Sequence, residues 1–187
     1  MSAWQYIGII TMLITLISGM YTLLHSSAGQ GLSISQHIAS NRQAYFLMGI
    51  ILSVVGAAFY GFLLFWLIPA YKLPIATYYV VGVSFVAQLI VAWIPADTSK
   101  SAKNTIHTAA GITIGTAMLI CIWVTYLFGS FTGVLTTNLI PPVAILASVC
   151  YGLLLLGLWR YKSLFLPSEV TMILIFSATL IVMGGQW

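Results

Sequence analysis

The chain has 187 residues, of which 61% are hydrophobic and 4% are charged, and its mean hydropathy is +1.08. This composition excludes a soluble globular domain, because the apolar fraction far exceeds what such a domain carries. The formal net charge of +4 reflects a scarcity of acids. Because no basic stripe is present that would neutralise several phosphates, we expect no nucleic acid as a partner.

Six apolar segments follow one another, and they predict an all-α membrane protein built as a single six-transmembrane-helix bundle over residues 1–187. Each has about 20 residues with almost no charge, which is the length that crosses ~30 Å of hydrocarbon. The first is predicted to be a retained helix, because neither a preceding positive charge nor a small-residue cleavage site marks it as a signal. The helices are predicted at approximately 3–24, 44–69, 74–95, 106–128, 138–159 and 167–185.

Prolines agree with these boundaries. Pro69, Pro74, Pro95 and Pro167 fall at predicted helix ends, where a missing N–H group is readily accommodated. The adjacent pair at 141–142 is expected in the first turn of the fifth helix, which also tolerates proline.

Small residues inside the spans predict packing rather than chemistry. Gly111 and Gly115 form a GxxxG pattern in the fourth helix, which favours close approach to another helix. Cys121 and Cys150 differ in depth by ~10 Å at 1.5 Å rise per residue. The Cα atoms of a disulfide lie within ~7 Å of each other, so no disulfide is expected.

An even number of spans puts both termini on one side of the membrane, here called face A, and loops one, three and five on the other, here called face B. Face A carries one basic residue, Lys72. The positive-inside rule therefore predicts that face B is cytoplasmic and that both termini are outside. The basic residues of face B are Arg42, Lys100, Lys103, Arg160 and Lys162.

Both acidic residues, Asp97 and Glu169, and all three histidines also fall on face B. The positive-inside rule explains the basic residues alone, so two interpretations are open: a solvated rim, or a polar pocket at the mouth of the bundle. Gln88 lies ~10 Å below this face at 1.5 Å per residue. Its amide needs a partner in hydrocarbon, and either it bonds the backbone of a neighbouring helix or it lines the floor of that pocket.

Asp97 and His107 bracket the connection between the third and fourth helices, in the stretch WIPADTSKSAKNTIHTAAG at 93–111. Because this connection is short, the two helices are expected to be antiparallel neighbours, and the two side chains are expected to meet near face B. A carboxylate orients an imidazole and stabilises its charged form, as for a general base. Asp97 can equally cap a turn, since PADTS is typical turn chemistry.

Metal and cofactor chemistry is not indicated by the sequence. No spacing typical of zinc ligands is present, and the histidines fall in or beside loops rather than inside facing helices, where haem ligation requires them. Neither a metal nor a cofactor is therefore expected.

Two stretches, LSISQHIASNRQAYFLMGIILSVVG at 32–56 and the segment at 93–111, resemble the bacterial DUF998 family of six-span membrane proteins. More distantly, the arrangement is similar to the eukaryotic Frag1/DRAM/Sfk1 group. The family pattern has an Ile-Ser-Glu-type motif in the first loop, a Phe-Pro-x-Asp loop and a His at the start of helix four. Gln36 stands where the family often has Glu, and Trp93-Ile94 replaces the aromatic residue before the proline.

The resemblance implies a location in the bacterial inner (plasma) membrane, but it implies no particular reaction. In the eukaryotic group the first loop faces the lumen, which is opposite to the orientation that the charge count predicts for this chain. The positions that match the family motifs are Ser35, Asp97 and His107.

These patterns together predict a polytopic membrane protein that binds or handles a lipid or another amphipathic small molecule at face B, with membrane lipid as its partner. One alternative is a lipid hydrolase or transferase in which His107 is the general base and Asp97 orients it. Another is a small transporter or an assembly subunit without chemistry. The sequence leaves the oligomeric state open. The expected ligand-binding residues are Ser35, Gln88, Lys100, Lys103, Arg160, Lys162 and Glu169.

Overall fold

The computed structural model describes residues 2–25, 42–94, 101–129 and 134–184, and for 18–25, 42–44 and 134–137 it describes the backbone only. Over these ranges the chain is helical and contains no strand. The helices are α1 (Ala3–His25), α2 (Arg42–Phe62, continued by a π-helical turn at Leu63–Leu67 and by Ile68–Ala70), α3 (Ala76–Trp93), α4 (Ala102–Phe128), α5 (Val134–Trp159) and α6 (Phe165–Gly184), the last preceded by a 3₁₀ turn at Lys162–Leu164.

Five of these helices, α2 to α6, are long and apolar enough to cross a membrane. In α1, the part whose side chains are described, Ala3–Ile17, is a shorter apolar helix. Large apolar side chains also cover the outer surface of the bundle. Val54 is 65% exposed, Tyr79 73% and Trp159 85%. Such a surface is typical of contact with lipid rather than water, so the helices indicate a polytopic integral membrane protein.

Two helices begin four residues earlier than the sequence predicts. α4 begins at Ala102 rather than 106, because Ser101 caps it: its Oγ accepts a hydrogen bond from the backbone N–H of Asn104 at 3.2 Å. α5 begins at Val134 rather than 138, so the polar residues ahead of its apolar run are helical too. The expectation that prolines 141–142 lie in the first turn was therefore wrong, and both lie inside the helix, where membrane helices tolerate them.

The helices form a closed ring. Each packs against its neighbours in chain order, and α6 packs against α1. Consecutive helices run antiparallel, so face A holds the starts of α1, α3 and α5 and the ends of the others. At face A the last carbonyl groups of α6 have no partner within their own helix. Gln5 donates from Nε2 to the Gly184 carbonyl at 3.1 Å, and the Tyr71 hydroxyl donates to the Met183 carbonyl at 3.2 Å.

The apolar core is concentrated in the half of the bundle next to face A. Its centre is the second half of α2, where Phe62, Leu63 and Leu67 are buried. Glycines allow the helices to approach there: a Cβ atom at Gly8 would lie 2.4 Å from the Phe62 ring, and one at Gly61 would lie 2.7 Å from the Trp4 ring. Face A is thus the tightly packed end, and most of the charged side chains that the structure describes are at face B.

Candidate functional site at face B

His107 joins the end of α3 to the start of α4. It is 7% exposed, and its Nδ1 lies 2.5 Å from the carbonyl oxygen of Ile94, the residue directly after α3. Because a carbonyl oxygen only accepts, Nδ1 carries the hydrogen and donates it. The imidazole thus satisfies one of the carbonyl groups that a helix end leaves without an intrahelical partner.

This bond could have been anticipated from Pro95. The residue before a proline is driven out of the helical region, and Ile94 is extended, with φ −104° and ψ 109°. Its carbonyl group is therefore turned away from the α3 axis, where a side chain of α4 can reach it. Asp97, the partner that the sequence predicts for His107, lies outside the described residues, so their pairing stays a prediction.

The sequence predicts two cations at this junction, and the structure describes one of them, Lys103. Lys100 lies outside the described residues, as does the predicted binding residue Ser35. The Lys103 side chain is exposed, in the first turn of α4, one turn before His107. The positive end of a helix dipole favours anions and disfavours cations. An anion bound here would therefore interact favourably with both the helix end and the Lys103 ammonium group.

Gln88 lies between α3 and α2. Its side chain is half-buried, and its Cγ would be 3.3 Å from a Cβ atom at Gly56. One turn further from face B, Ser84 and Tyr60 form a buried hydroxyl pair at 2.6 Å. Within the described ranges no hydrogen bond of the Gln88 amide is seen, so a role in the floor of a face B pocket stays a prediction.

The connection between α5 and α6 brings a second set of charged side chains to face B. Arg160 and Lys162 are exposed, and the Arg160 guanidinium lies 6.0 Å from the centroid of the Tyr161 ring. The turn is tight because Gly157 has no side chain: a Cβ atom there would be 2.8 Å from the backbone nitrogen of Phe165. No hydrogen bond joins Arg160 or Lys162 to His107 among the described contacts.

Glu169 is on the same side, half-buried in the second turn of α6. Met172, one turn further along α6, packs near α4. Its Cε would lie 3.6 Å from a Cβ atom at Gly115 of α4. The same Cβ atom would lie 2.8 Å from the Tyr151 ring, so glycine lets α4 and α5 approach closely here, as the GxxxG pattern predicts. At Gly111, the other glycine of that pattern, a Cβ atom would meet nothing within 4 Å among the described residues, so no packing role inside the bundle is seen there.

The described residues contain no group of three or more His, Cys, Asp or Glu side chains that could hold a metal ion. Cys121 and Cys150 are buried free thiols. No protein-family model, curated protein or solved structure matches this chain.

Proposed function

We propose that this protein is a six-span membrane protein that binds a lipid, or another amphipathic molecule with an anionic head group, at face B. One observation carries the proposal. Of the Lys, Arg, His and Glu side chains that the structure describes, all except Lys72 are on face B. Ionisable groups are costly near hydrocarbon and mark binding sites there. The five side chains are Lys103, His107, Arg160, Lys162 and Glu169.

The physical basis is electrostatic attraction at the leaflet surface. Lys103, Arg160 and Lys162 are exposed, and each basic side chain near the surface attracts anionic lipid by ~1 kcal/mol. The N-termini of α4 and α6 are at the same face and favour an anion as well. We propose Ser35, Asp97 and Lys100 as further members of this site, with Gln88 and Glu169 lining it.

The proposal includes the number of spans and their orientation. α1 has 23 residues, which is ~34 Å at 1.5 Å per residue and enough to cross the hydrocarbon core. It also completes the ring between α2 and α6. We place face B in the cytoplasm by the positive-inside rule. We further propose that the membrane is a bacterial inner membrane and that the chain is a member of the DUF998 family.

A second candidate function is a lipid hydrolase or transferase with His107 as general base. The observation that favours it is the hydrogen bond from Nδ1 to the Ile94 carbonyl. This bond fixes the tautomer, so that in the neutral imidazole Nε2 is the basic nitrogen. If His107 is a general base, His107→Ala should lower turnover by about 10²–10⁴ while the protein still folds. Unchanged turnover would remove this candidate.

Lipid mass spectrometry of gently purified protein tests the main proposal. We expect a stoichiometric anionic lipid, and a chemically processed lipid would instead support the enzyme. In the triple variant Lys103→Gln, Arg160→Gln, Lys162→Gln, the ratio of anionic to zwitterionic lipid should fall at least tenfold, since each cation contributes ~1 kcal/mol. Lys72→Gln is the matched control on face A. An equal loss in this control, or none in the triple variant, would contradict binding at face B.

A further inference from the structure

An open groove runs along the outer surface of the bundle between α3 and α4. Its volume is about 680 Å³, which is in the range of ~300–1,000 Å³ typical of ligand sites. Val86 and Ile90 of α3 form one wall, and Ile106 and Thr113 of α4 form the other. Val86 is 57% exposed and Ile106 is 47% exposed. The groove therefore opens outward, to the lipid and not to the interior of the ring.

The groove suits a hydrocarbon chain in both chemistry and length. The Thr113 hydroxyl in its α4 wall is already satisfied, because it donates to the Ala109 carbonyl at 2.9 Å. From Tyr79 to Ile90 the α3 wall is ~16 Å long at 1.5 Å per residue. That length is about half of the ~30 Å hydrocarbon core, so the groove is long enough to hold most of one acyl chain.

Gly82 keeps the floor of the groove open. A Cβ atom at this position would meet none of the described residues within 4 Å, whereas one at Gly8, Gly61 or Gly115 would press on an aromatic ring. Packing between helices therefore does not require glycine at position 82, and glycine inside a helix is less favourable than other residues. A larger side chain at position 82 would project into the groove without disturbing the ring.

The positively charged side chain of Lys103 lies at the face B end of the groove. Lys103 is exposed and precedes Ile106 by three residues and the groove residue Ala110 by seven. Residues with these spacings share one side of a helix. We infer that the groove binds one acyl chain of an anionic phospholipid whose phosphate contacts Lys103. This inference rests on the proposed function, lipid binding at face B, and specifies where on the protein that lipid binds.

A second copy of the chain fits the groove less well than a lipid does. Helices associate in membranes through small residues on both partners, whereas Val83 and Val86 project from this surface, 59% and 57% exposed. A two-fold dimer through the groove, with its axis along the membrane normal, would also bring Lys103 of both copies to the same level. Like charges placed together disfavour such a contact.

The test uses the full chain in vesicles of equal parts phosphatidylglycerol and phosphatidylcholine, extracted into mild detergent, with retained lipids counted by native mass spectrometry. The wild type should retain one phosphatidylglycerol. Gly82→Leu, which fills the groove, should lower this retention at least threefold. Gly152→Leu is its control, because Gly152 of α5 also has open space around a Cβ atom and lies outside the groove.

Lys103→Gln should lower the preference for phosphatidylglycerol over phosphatidylcholine by about fivefold, the change expected for one basic side chain at a lipid surface. Lys72→Gln, an exposed cation on face A, should leave retention in the groove unchanged. Val86→Phe, with Val149→Phe on α5 as control, gives a second way to fill the groove should Gly82→Leu fail to fold. Both valines are similarly exposed, 57% and 55%.

The outcomes separate the groove from the proposed function. Retention that falls in the Arg160 and Lys162 variants but not in those of Gly82, Val86 and Lys103 would overturn the groove and leave binding at face B intact. A wild type that retains both lipids equally would overturn both. A change of mass from dimer to monomer in Gly82→Leu would show that a second copy, and not a lipid, occupies the groove.

Discussion

The contact between His107 and the Ile94 carbonyl gives the sharpest test of how the candidate site is held together. His107→Ala removes the donor at 2.5 Å and leaves the carbonyl oxygen without it. In soluble proteins a buried acceptor that loses its partner costs ~1–3 kcal/mol. Ile94 is only half-buried, which favours the lower end of that range. Hydrogen bonds between membrane helices average ~0.6 kcal/mol and reach ~1.7 kcal/mol. We therefore expect a loss of about 1 kcal/mol.

Hydrogen–deuterium exchange in detergent or nanodiscs locates this loss. The Ile94 amide is bonded to the Ile90 carbonyl at 2.8 Å, so its exchange reports the last turn of α3. A loss of about 1 kcal/mol corresponds to roughly fivefold faster exchange, since ~1.4 kcal/mol is a factor of ten. Amides in the middle of α5 should keep their rates.

Two variants serve as controls. His107→Gln keeps a side-chain N–H donor and should restore part of the protection. Thr105→Ala removes an exposed hydroxyl in the same turn, whose bond to the Ser101 carbonyl is 3.2 Å long, and should leave the end of α3 unchanged. If Ile94 exchanges at the wild-type rate in His107→Ala, the imidazole does not fix α3, and its burial has another cause.

Three further predictions concern the orientation and packing of the bundle. Cysteines introduced at Ser163 on face B and at Ile75 on face A, both exposed positions, should be labelled from opposite sides of the membrane. The cysteine at position 163 should be reached only from the cytoplasm, and its labelling from outside would contradict the proposed orientation. Gly61→Leu should destabilise the protein by ~1–3 kcal/mol through overpacking, because a Cβ atom there would be 2.7 Å from an aromatic ring, while Gly152→Leu in the same unfolding assay should not; equal stability of the two would show that α1 and α2 do not pack closely. Tyr60→Phe should cost ~0.6–1.7 kcal/mol, the range for hydrogen bonds inside membranes, because it breaks the buried hydroxyl pair between α2 and α3; no change in unfolding would mean that the pair contributes nothing.

The sequence predicts the existence of the helices better than their ends. α3 (Ala76–Trp93) is an apolar run between two prolines, and these limit it to within two residues of the predicted 74–95. α4 is different, because its first turn consists of polar residues that resemble a loop. Ser101 makes that turn helical by capping it, and a count of apolar residues does not register a cap. Local hydrogen bonds, and not hydropathy, set this boundary.

The site is less predictable than the fold, because its contacts join residues that are distant in sequence. The position of His107 at the start of a helix follows from the chain, but its carbonyl partner depends on the exact level at which α3 and α4 meet. The glycines show the same limit. Gly111 and Gly115 form a recognised pattern, yet among the described residues only Gly115 packs against a neighbour, while the isolated Gly82 borders the open groove between α3 and α4. Sequence spacing does not tell which side of a helix faces a partner.

Ring closure has a consequence for how the chain is made. α1 ends at His25 and α6 begins at Phe165, so at ~5–20 residues per second the ribosome needs roughly 10–30 s to deliver the second neighbour of α1. During that time the side of α1 that α6 will cover, including the Gln5 amide, lies against lipid or against the insertion machinery. Helix insertion in chain order therefore yields an open horseshoe first. A substitution that weakens the contact between α1 and α6 should prolong this open intermediate and expose it to membrane proteases, even where the finished ring is nearly as stable as the wild type.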